Sequence, residues 1–218
     1  MTTLATDRST DVATAAVSRD GEVLAFREFP LSTARSADWL SSIADFVRET
    51  VSRDSAPFAA IDRFVCGLGP GSFTGVRATL AAFAGLALPK RKTVCGLTSA
   101  LAYSRDDEPI AVTGDARRGR FWTILFEGAK TVRGFALCPR EELRAAVPDG
   151  FKVFSPDDAR AGTVLAGEFG SSYLGGGAPS AARLAQIAET HAELLCANPL
   201  PVYLTPAVRP PEPPRAAQ

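Results

Sequence analysis

Three short segments hold the residues of this chain that could do chemistry on a phosphate. The first is Asp7-Arg8-Ser9-Thr10 and the second is Gly69-Pro70-Gly71-Ser72-Phe73-Thr74-Gly75. The third is Gly114-Asp115-Ala116-Arg117-Arg118-Gly119. A carboxylate can hold a metal ion, and hydroxyls or an arginine can hold phosphate oxygens. A glycine turn entering a helix presents free amides to an anion. Asp7, Ser9, Thr10, Gly71, Ser72, Asp115 and Arg117 are therefore the candidate nucleotide contacts. Arg8 is out of keeping with them, because an arginine side chain there would fill the space a phosphate needs. An Asx-type turn between two strands accounts for Asp7 to Thr10 without any ligand.

Other chemistries are poorly served. His191 is the only histidine, so neither a Ser–His–Asp set nor a paired-histidine metal site can be assembled. Cys66, Cys95, Cys138 and Cys196 are far apart and form no Cys-x-x-Cys pair, which points to buried free thiols. No catalytic residue and no metal ligand is assigned. Gly69-x-Gly71-xxx-Gly75 has dinucleotide-loop spacing, with Lys90, Arg91 and Lys92 about 20 residues further on to meet a ribose phosphate. Pro70 removes an amide that the pyrophosphate would use, and this is not the first strand–helix turn of the chain. No Gly-Lys-Ser/Thr follows, which excludes a Walker-type loop. The structural reading of the loop is a tight turn that lets a helix pack closely on its strand.

The elements that must position these residues can be read from periodicity. Thr3 to Thr6 forms a first strand, and two β-rich runs, Val12–Val17 and Glu22–Phe29, flank Arg19-Asp20-Gly21 as a hairpin. Ser36 to Val51 is an amphipathic helix with two apolar rows, Trp39-Ile43-Phe46 and Leu40-Ala44-Val47-Val51. Asp62 to Leu68 is the strand before the glycine loop. The helix after it has no charge between Arg77 and Lys90 and carries alanine around its whole circumference. Such a helix is buried on more than one side. Val76, Leu80, Phe83 and Ala87 suit the chain's own sheet, and the small residues suit a second helix or a partner subunit.

A strand over Thr93–Leu97 and a short helix from Thr98 follow. Arg105-Asp106-Asp107-Glu108-Pro109 then interrupts the pattern. Ile110–Thr113, a polar turn and Arg120–Phe126 repeat the opening of the chain, with Asp115 where Asp7 stood. Thr131–Leu137 reads as a strand, Pro139–Val147 as a helix, and Phe151–Phe154 and Thr163–Ala166 as short strands. Gly175–Gly177 is a joint before a last helix over Ser180–Ala197. The expected domains are 1–106, a smaller 107–204, and a proline-rich mobile tail, 205–218.

Nine consecutive residues, Gly69-Pro70-Gly71-Ser72-Phe73-Thr74-Gly75-Val76-Arg77, with the small-residue helix behind them, resemble the bacterial TsaB (YeaZ) family of tRNA threonylcarbamoyladenosine biosynthesis proteins. Asp115-Ala116-Arg117 before an aromatic strand is a second point of likeness, and the first turn, Asp7 with Ser9 and Thr10, is a third. The resemblance implies an α/β fold of two ribonuclease-H-like subdomains around a cleft, as in the actin-like, sugar-kinase and Hsp70 superfamily. It also implies a non-catalytic scaffold that activates TsaD, works with TsaE, and meets tRNA only through the complex. TsaD then moves threonylcarbamoyl from an adenylate to the adenosine beside the anticodon. No tightly bound cofactor is implied, with room for ATP or ADP at a partner interface. The helix from Ser36 and the glycine-loop helix would form a bundle with TsaD, and the chain alone would self-associate as a homodimer. Trp39, Ile43, Phe46, Val76, Leu80, Ala81, Phe83 and Ala84 are the candidate contacts. The rival reading is an independent small kinase or ATPase of the same superfamily.

Composition does not suit a main RNA-binding subunit, which should be basic or carry a basic face. Twenty-four basic residues balance 24 acidic ones, so there is no overall nucleic-acid footprint, and Arg117, Arg118 and Arg120 form the only tight arginine cluster. The N-terminal segment has no basic run followed by an apolar core and no stretch is of membrane length, so a cytoplasmic location is expected.

Overall fold

The computed structural model describes residues 1–30, 36–51, 56–106 and 108–204. The tail 205–218 and Asp107, with which the second expected domain opens, lie outside the described residues. Two five-stranded sheets carry the same topology. The first contains β1 (Thr2–Asp7), β2 (Val12–Arg19), β3 (Glu22–Pro30), β4 (Arg63–Gly67) and β5 (Thr93–Leu97), in the order β3-β2-β1-β4-β5. The second contains β6 (Pro109–Asp115), β7 (Arg120–Glu127), β8 (Lys130–Pro139), β9 (Lys152–Ser155) and β10 (Tyr173–Gly176), in the order β8-β7-β6-β9-β10. In each, the first three strands form an antiparallel meander and the last two add in parallel to the first. This is the duplicated ribonuclease-H-like α/β architecture.

Each parallel crossing needs a covering helix. On one face of the first sheet lie α1 (Ser36–Thr50) and α2 (Phe73–Ala87). Strand alternation decides what they meet: Leu4, Ala13, Ala15, Val17, Phe64 and Cys66 point at them. Ala5, Ala16 and Val65 point the other way, onto α5 (Ala181–Thr190). Although α5 falls within 107–204, it is seated on β1 and β2 of the first sheet. Its Ala181, Ala185 and Ala188 oppose Ala5 and Ala16, and residues this small let helix and sheet approach closely. The same apolar cluster includes Ile110, Val112, Trp122, Ile124 and Phe126 of the second sheet, so one core runs through both halves. The far face of the second sheet is covered by α3 (Leu143–Ala146) and α4 (Asp158–Phe169).

Polar side chains fix both ends of α5. The buried Thr14 hydroxyl donates to Pro179 O at 2.6 Å and accepts from Ala181 N at 3.1 Å. Arg63, also buried, donates to Ala188 O at 3.1 Å and pairs with Glu189 at 2.6 Å. A cation there meets free carbonyls at the negative end of the helix dipole.

Two expectations are corrected. Trp39, Ile43 and Phe46 are core residues, exposed by 4, 0 and 1%, as are Val76 at 2% and Phe83 at 0%. The Trp39 row is covered by β3 and the sheet: Phe29 sets its ring edge-on to both Trp39 and Phe46, with centroids at 5.5 and 6.2 Å. Leu80 is half-buried, and Ala81 and Ala84 are exposed. Of the other α1 row, Val47 is also core at 0%, Ala44 and Val51 are half-buried, and Leu40 is exposed. The second correction is Thr163–Ala166, which lies within α4. Ala161, Gly162 and Leu165 turn inward together at helical spacing, and that face outweighs the β propensity of Thr163 and Val164.

Removing the Phe46 ring leaves a void between α1, Phe29 and the sheet. Phe46→Ala should lower stability by about 3–5 kcal/mol, read as a drop in the denaturant midpoint. A surface position would give a change within about 0.5 kcal/mol.

Candidate functional site

A cleft of about 1000 Å³ opens where the carboxyl ends of the parallel strands of both sheets converge. Ser9, Thr10, Gly71, Ser72 and Phe73 line it on the side of the first sheet. Asp115, Arg117, Trp122, Asp157 and Arg160 line it on the other, and Val202 to Leu204 run along it. The structure thus brings together six of the seven candidate nucleotide contacts. Asp7 stands behind them, 1% exposed.

The first wall is built by close approach. Ser72 N donates to Ser9 O at 2.7 Å, laying the glycine loop directly on the first turn. A methyl group at Gly71 would collide with the Ser9 carbonyl, and one at Gly75 with the Arg8 carbonyl. Gly67 is required in the same way by the Asp7 carboxylate. Asp7 Oδ1 accepts from Ser9 N at 2.8 Å and Ser9 Oγ at 2.6 Å, while its buried Oδ2 has no donor. Burial pushes this carboxyl up from the usual range, and the two hydrogen bonds from Ser9 hold it back in part. Ser72 Oγ accepts from Gly75 N at 3.2 Å and so serves as the cap of α2.

Arg8 does not fill the cleft. Its guanidinium lies 4.7 Å from the Trp39 ring centroid, on the α1 side of the turn, with Nε and one terminal nitrogen making no hydrogen bond. The expectation that it blocks a phosphate is therefore corrected; the Trp39 face holds it away from the cleft.

The second wall is an ion-pair network. Asp115 Oδ1 accepts from Arg117 N at 2.7 Å, and Asp157 Oδ2 accepts from Asp115 N at 3.1 Å. Arg160 pairs with Asp157 and lies 3.7 Å from Asp115, whose other neighbour, Arg117, is at 3.9 Å. Acids and arginines here satisfy one another. Sequence reasoning missed Asp157 and Arg160, although the signal was present: Pro156-Asp157-Asp158 follows β9 as Asp7 closes β1. It also missed the pairing of Phe73 with Tyr203, rings 5.2 Å apart at the cleft edge, because the two are 130 residues apart.

Among the described residues no group of His, Cys, Asp and Glu could hold a metal ion, and no helix is long and apolar enough to cross a membrane. His191 pairs with Glu193 at 3.1 Å and takes no part in lining the cleft. Cys66, Cys95 and Cys138 are buried free thiols and Cys196 is exposed. Burial holds Cys66 well above the ordinary thiol range and Cys95 at about 11, so both stay protonated.

Two ribonuclease-H-like subdomains with a strand-end cleft between them make up an actin-like fold. Within that class the structure of YeaZ from Pseudomonas aeruginosa is similar at a TM-score of 0.69 and 24% identity, covering 93% of this chain and 99% of that one. A second Pseudomonas aeruginosa structure, described as similar to peptidase YEAZ, gives 0.69 at 23% identity, covering 94% of this chain and 99% of that one. The family model of TsaD, tRNA N6-adenosine threonylcarbamoyltransferase, matches residues 33–138. No curated protein matches the sequence. The likeness seen in the glycine loop thus extends, as a fold, over nearly the whole chain.

A raised Asp7 pKa has a definite sign. The folded state binds the proton more tightly than the unfolded chain, so this residue's contribution to stability falls as pH rises from about 3.8 through the raised value. Asp7→Asn, which carries no charge to bury, should be more stable than the parent at pH 7. That advantage should shrink as pH falls towards 4. Denaturant melts across this range check it; a gain that grows on acidification would contradict the burial account.

Proposed function

We propose that the chain is a non-catalytic scaffold and activator in tRNA threonylcarbamoyladenosine synthesis, acting as a partner of a TsaD-type transferase. The observation that carries this reading is the outer face of α1 and α2, inside the segment matched by the TsaD family. Arg77, Ala81, Ala84 and Gly85 are exposed along α2, and Leu88 just past its end. Beside them a groove of about 510 Å³ is lined by Leu40, Ala44, Phe58 and Leu86. A smooth, small-residue helix beside an apolar groove suits the close approach of a partner's helices. The contact surface is thus Leu40, Ala44, Ala81, Ala84 and Leu86, and the buried Trp39 row supports it from beneath.

The site favours a scaffold over an enzyme. Asp7 is buried behind the first turn, and Asp115 and Asp157 are engaged by Arg117 and Arg160. Asp158, also on the lining, is taken by Tyr173, so that among the described residues exposed Asp11 is the one lining carboxylate without a partner, short of the clustered acids that hold a metal for phosphoryl transfer. In this reading TsaE joins the complex, tRNA is the complex's substrate, and ATP or ADP enters at a partner interface in the cytoplasm. In this reading the chain divides at 106/107, and α5 of the second part serves the first sheet. A homodimer through the same α1–α2 face covers it when the partner is absent. The rival, an independent kinase or ATPase, draws on the position of the cleft at the strand ends.

Two measurements test this. Purified chain should show no metal-dependent ATP turnover above background; robust turnover lost in Asp115→Ala would favour the kinase. Ala81→Arg places a charged side chain in the middle of the contact and should reduce binding to a TsaD-type partner at least tenfold, with the thermal melt unchanged. Normal binding by a folded Ala81→Arg variant would move the interface elsewhere.

A further inference from the structure

The arginine cluster of the β6–β7 turn has no part in the scaffold role, and its geometry is unusual. Arg117 and Arg118 both have left-handed backbones, at φ 67° and 56°. That conformation favours glycine or asparagine and is strained for an arginine. The turn is held in place all the same: Ala116 N donates to Arg120 O at 2.9 Å, Arg120 N to Arg117 O at 3.1 Å, and Asp115 braces Arg117. Arg140 is tied to the same turn through its own amide, which donates to Gly119 O at 3.2 Å. Arg118, Arg120 and Arg140 are exposed and make no ion pair among the described residues. Three exposed arginines without ion pairs are therefore carried by one hydrogen-bonded turn at the end of the second sheet, next to Arg117, which lines the cleft.

The opposite rim offers different chemistry. Phe73 is 46% and Tyr203 51% exposed, their rings stacked at 5.2 Å, with the Arg77 guanidinium 4.8 Å from the Phe73 ring centroid. Large exposed aromatics next to arginine are a stacking surface for flat groups. A single-stranded nucleic acid can use both rims: its phosphates take arginine forks and its unstacked bases take aromatic faces. An acidic protein surface would answer the arginines but not the aromatic pair. Net charge of zero does not weigh against this, because the charge that matters is local.

We propose that this chain itself contacts RNA, with the Arg118–Arg120–Arg140 edge on the phosphates and the Phe73–Tyr203 pair on a base. The inference rests on the tRNA-modification reading, and it assigns part of the substrate grip to the scaffold subunit.

The test uses the full chain and a fluorescein-labelled RNA stem-loop with a seven-nucleotide single-stranded loop, followed by anisotropy at a series of salt concentrations. Binding should weaken with salt. Arg118→Glu with Arg120→Glu should reduce affinity at least tenfold and flatten the salt dependence. Arg118→Lys with Arg120→Lys should retain most of it, and Tyr203→Ala should lose about tenfold. Ultraviolet crosslinks should map to peptides containing Phe73 or Tyr203. Thermal melts of every variant establish that the fold is intact. RNA binding that is unchanged in the folded double-glutamate variant overturns the proposal. So does loss of a TsaD-type partner in that variant with RNA affinity intact, which would make the edge a protein contact. Failure of the scaffold reading is separate: it shows as normal partner binding by Ala81→Arg, whatever the RNA result.

Discussion

The cleft depends on one close contact, the glycine loop laid on the first turn of the chain. The Ser72 amide reaches the Ser9 carbonyl at 2.7 Å, and this is feasible because Gly71 and Gly75 present no side chain to Ser9 and Arg8. From that contact follow the position of the α2 N-terminus, the burial of Asp7 under Gly67, and the rim on which Phe73 stands. A larger residue at either glycine would lift α2 off β1 and open the first wall. The loop therefore acts as a joint between two elements, and its dinucleotide-like spacing is a by-product of steric need.

The two halves repeat a topology but not a chemistry. In the first, the aspartate that ends the leading strand is sealed into the interior and its turn is held by backbone contact. In the second, the equivalent aspartate stays at the surface, and its turn is held by Asp157, Arg160 and Arg117. Removing a carboxylate from water is costly without compensating donors, and Asp7 has them for one oxygen only. Asp115 avoids the cost by remaining partly solvated and ion-paired. In neither half is the aspartate that ends the leading strand left unengaged and open: Asp7 is buried, and Asp115 is braced by arginine.

The helix α5 makes the two halves one object. It arrives from the far end of the chain, is capped by Thr14 and clamped by Arg63, and shares an apolar cluster with both sheets. Its seat on β1 and β2 is lined by alanines, which look featureless in the sequence and turn out to set the spacing of the layers. The outer side of the first sheet is treated differently. There α1 and α2 bury their large residues and leave an exterior with alanine, glycine and an occasional leucine.

Local pattern determined much of this protein: the hairpin at Asp20-Gly21, the loop and helix from Gly69, the repeated strand–turn–strand opening, and the six cleft contacts from Ser9 to Arg117. These depend on neighbours in the chain, through turn conformation, capping and alternation, and so are legible from residue order. Tertiary structure alone decided three things. Trp39, Ile43 and Phe46 became core, because Phe29 and the sheet cover that row, and a helical wheel does not say which of two apolar rows is covered. Arg8 left the cleft, because Trp39 offered its face on the other side of the turn. Tyr203 joined Phe73, and Arg140 joined the arginine turn, because strand pairing and chain return place distant residues side by side. Spacing along the chain records periodicity and turns; it carries no information about which distant surface a side chain will find.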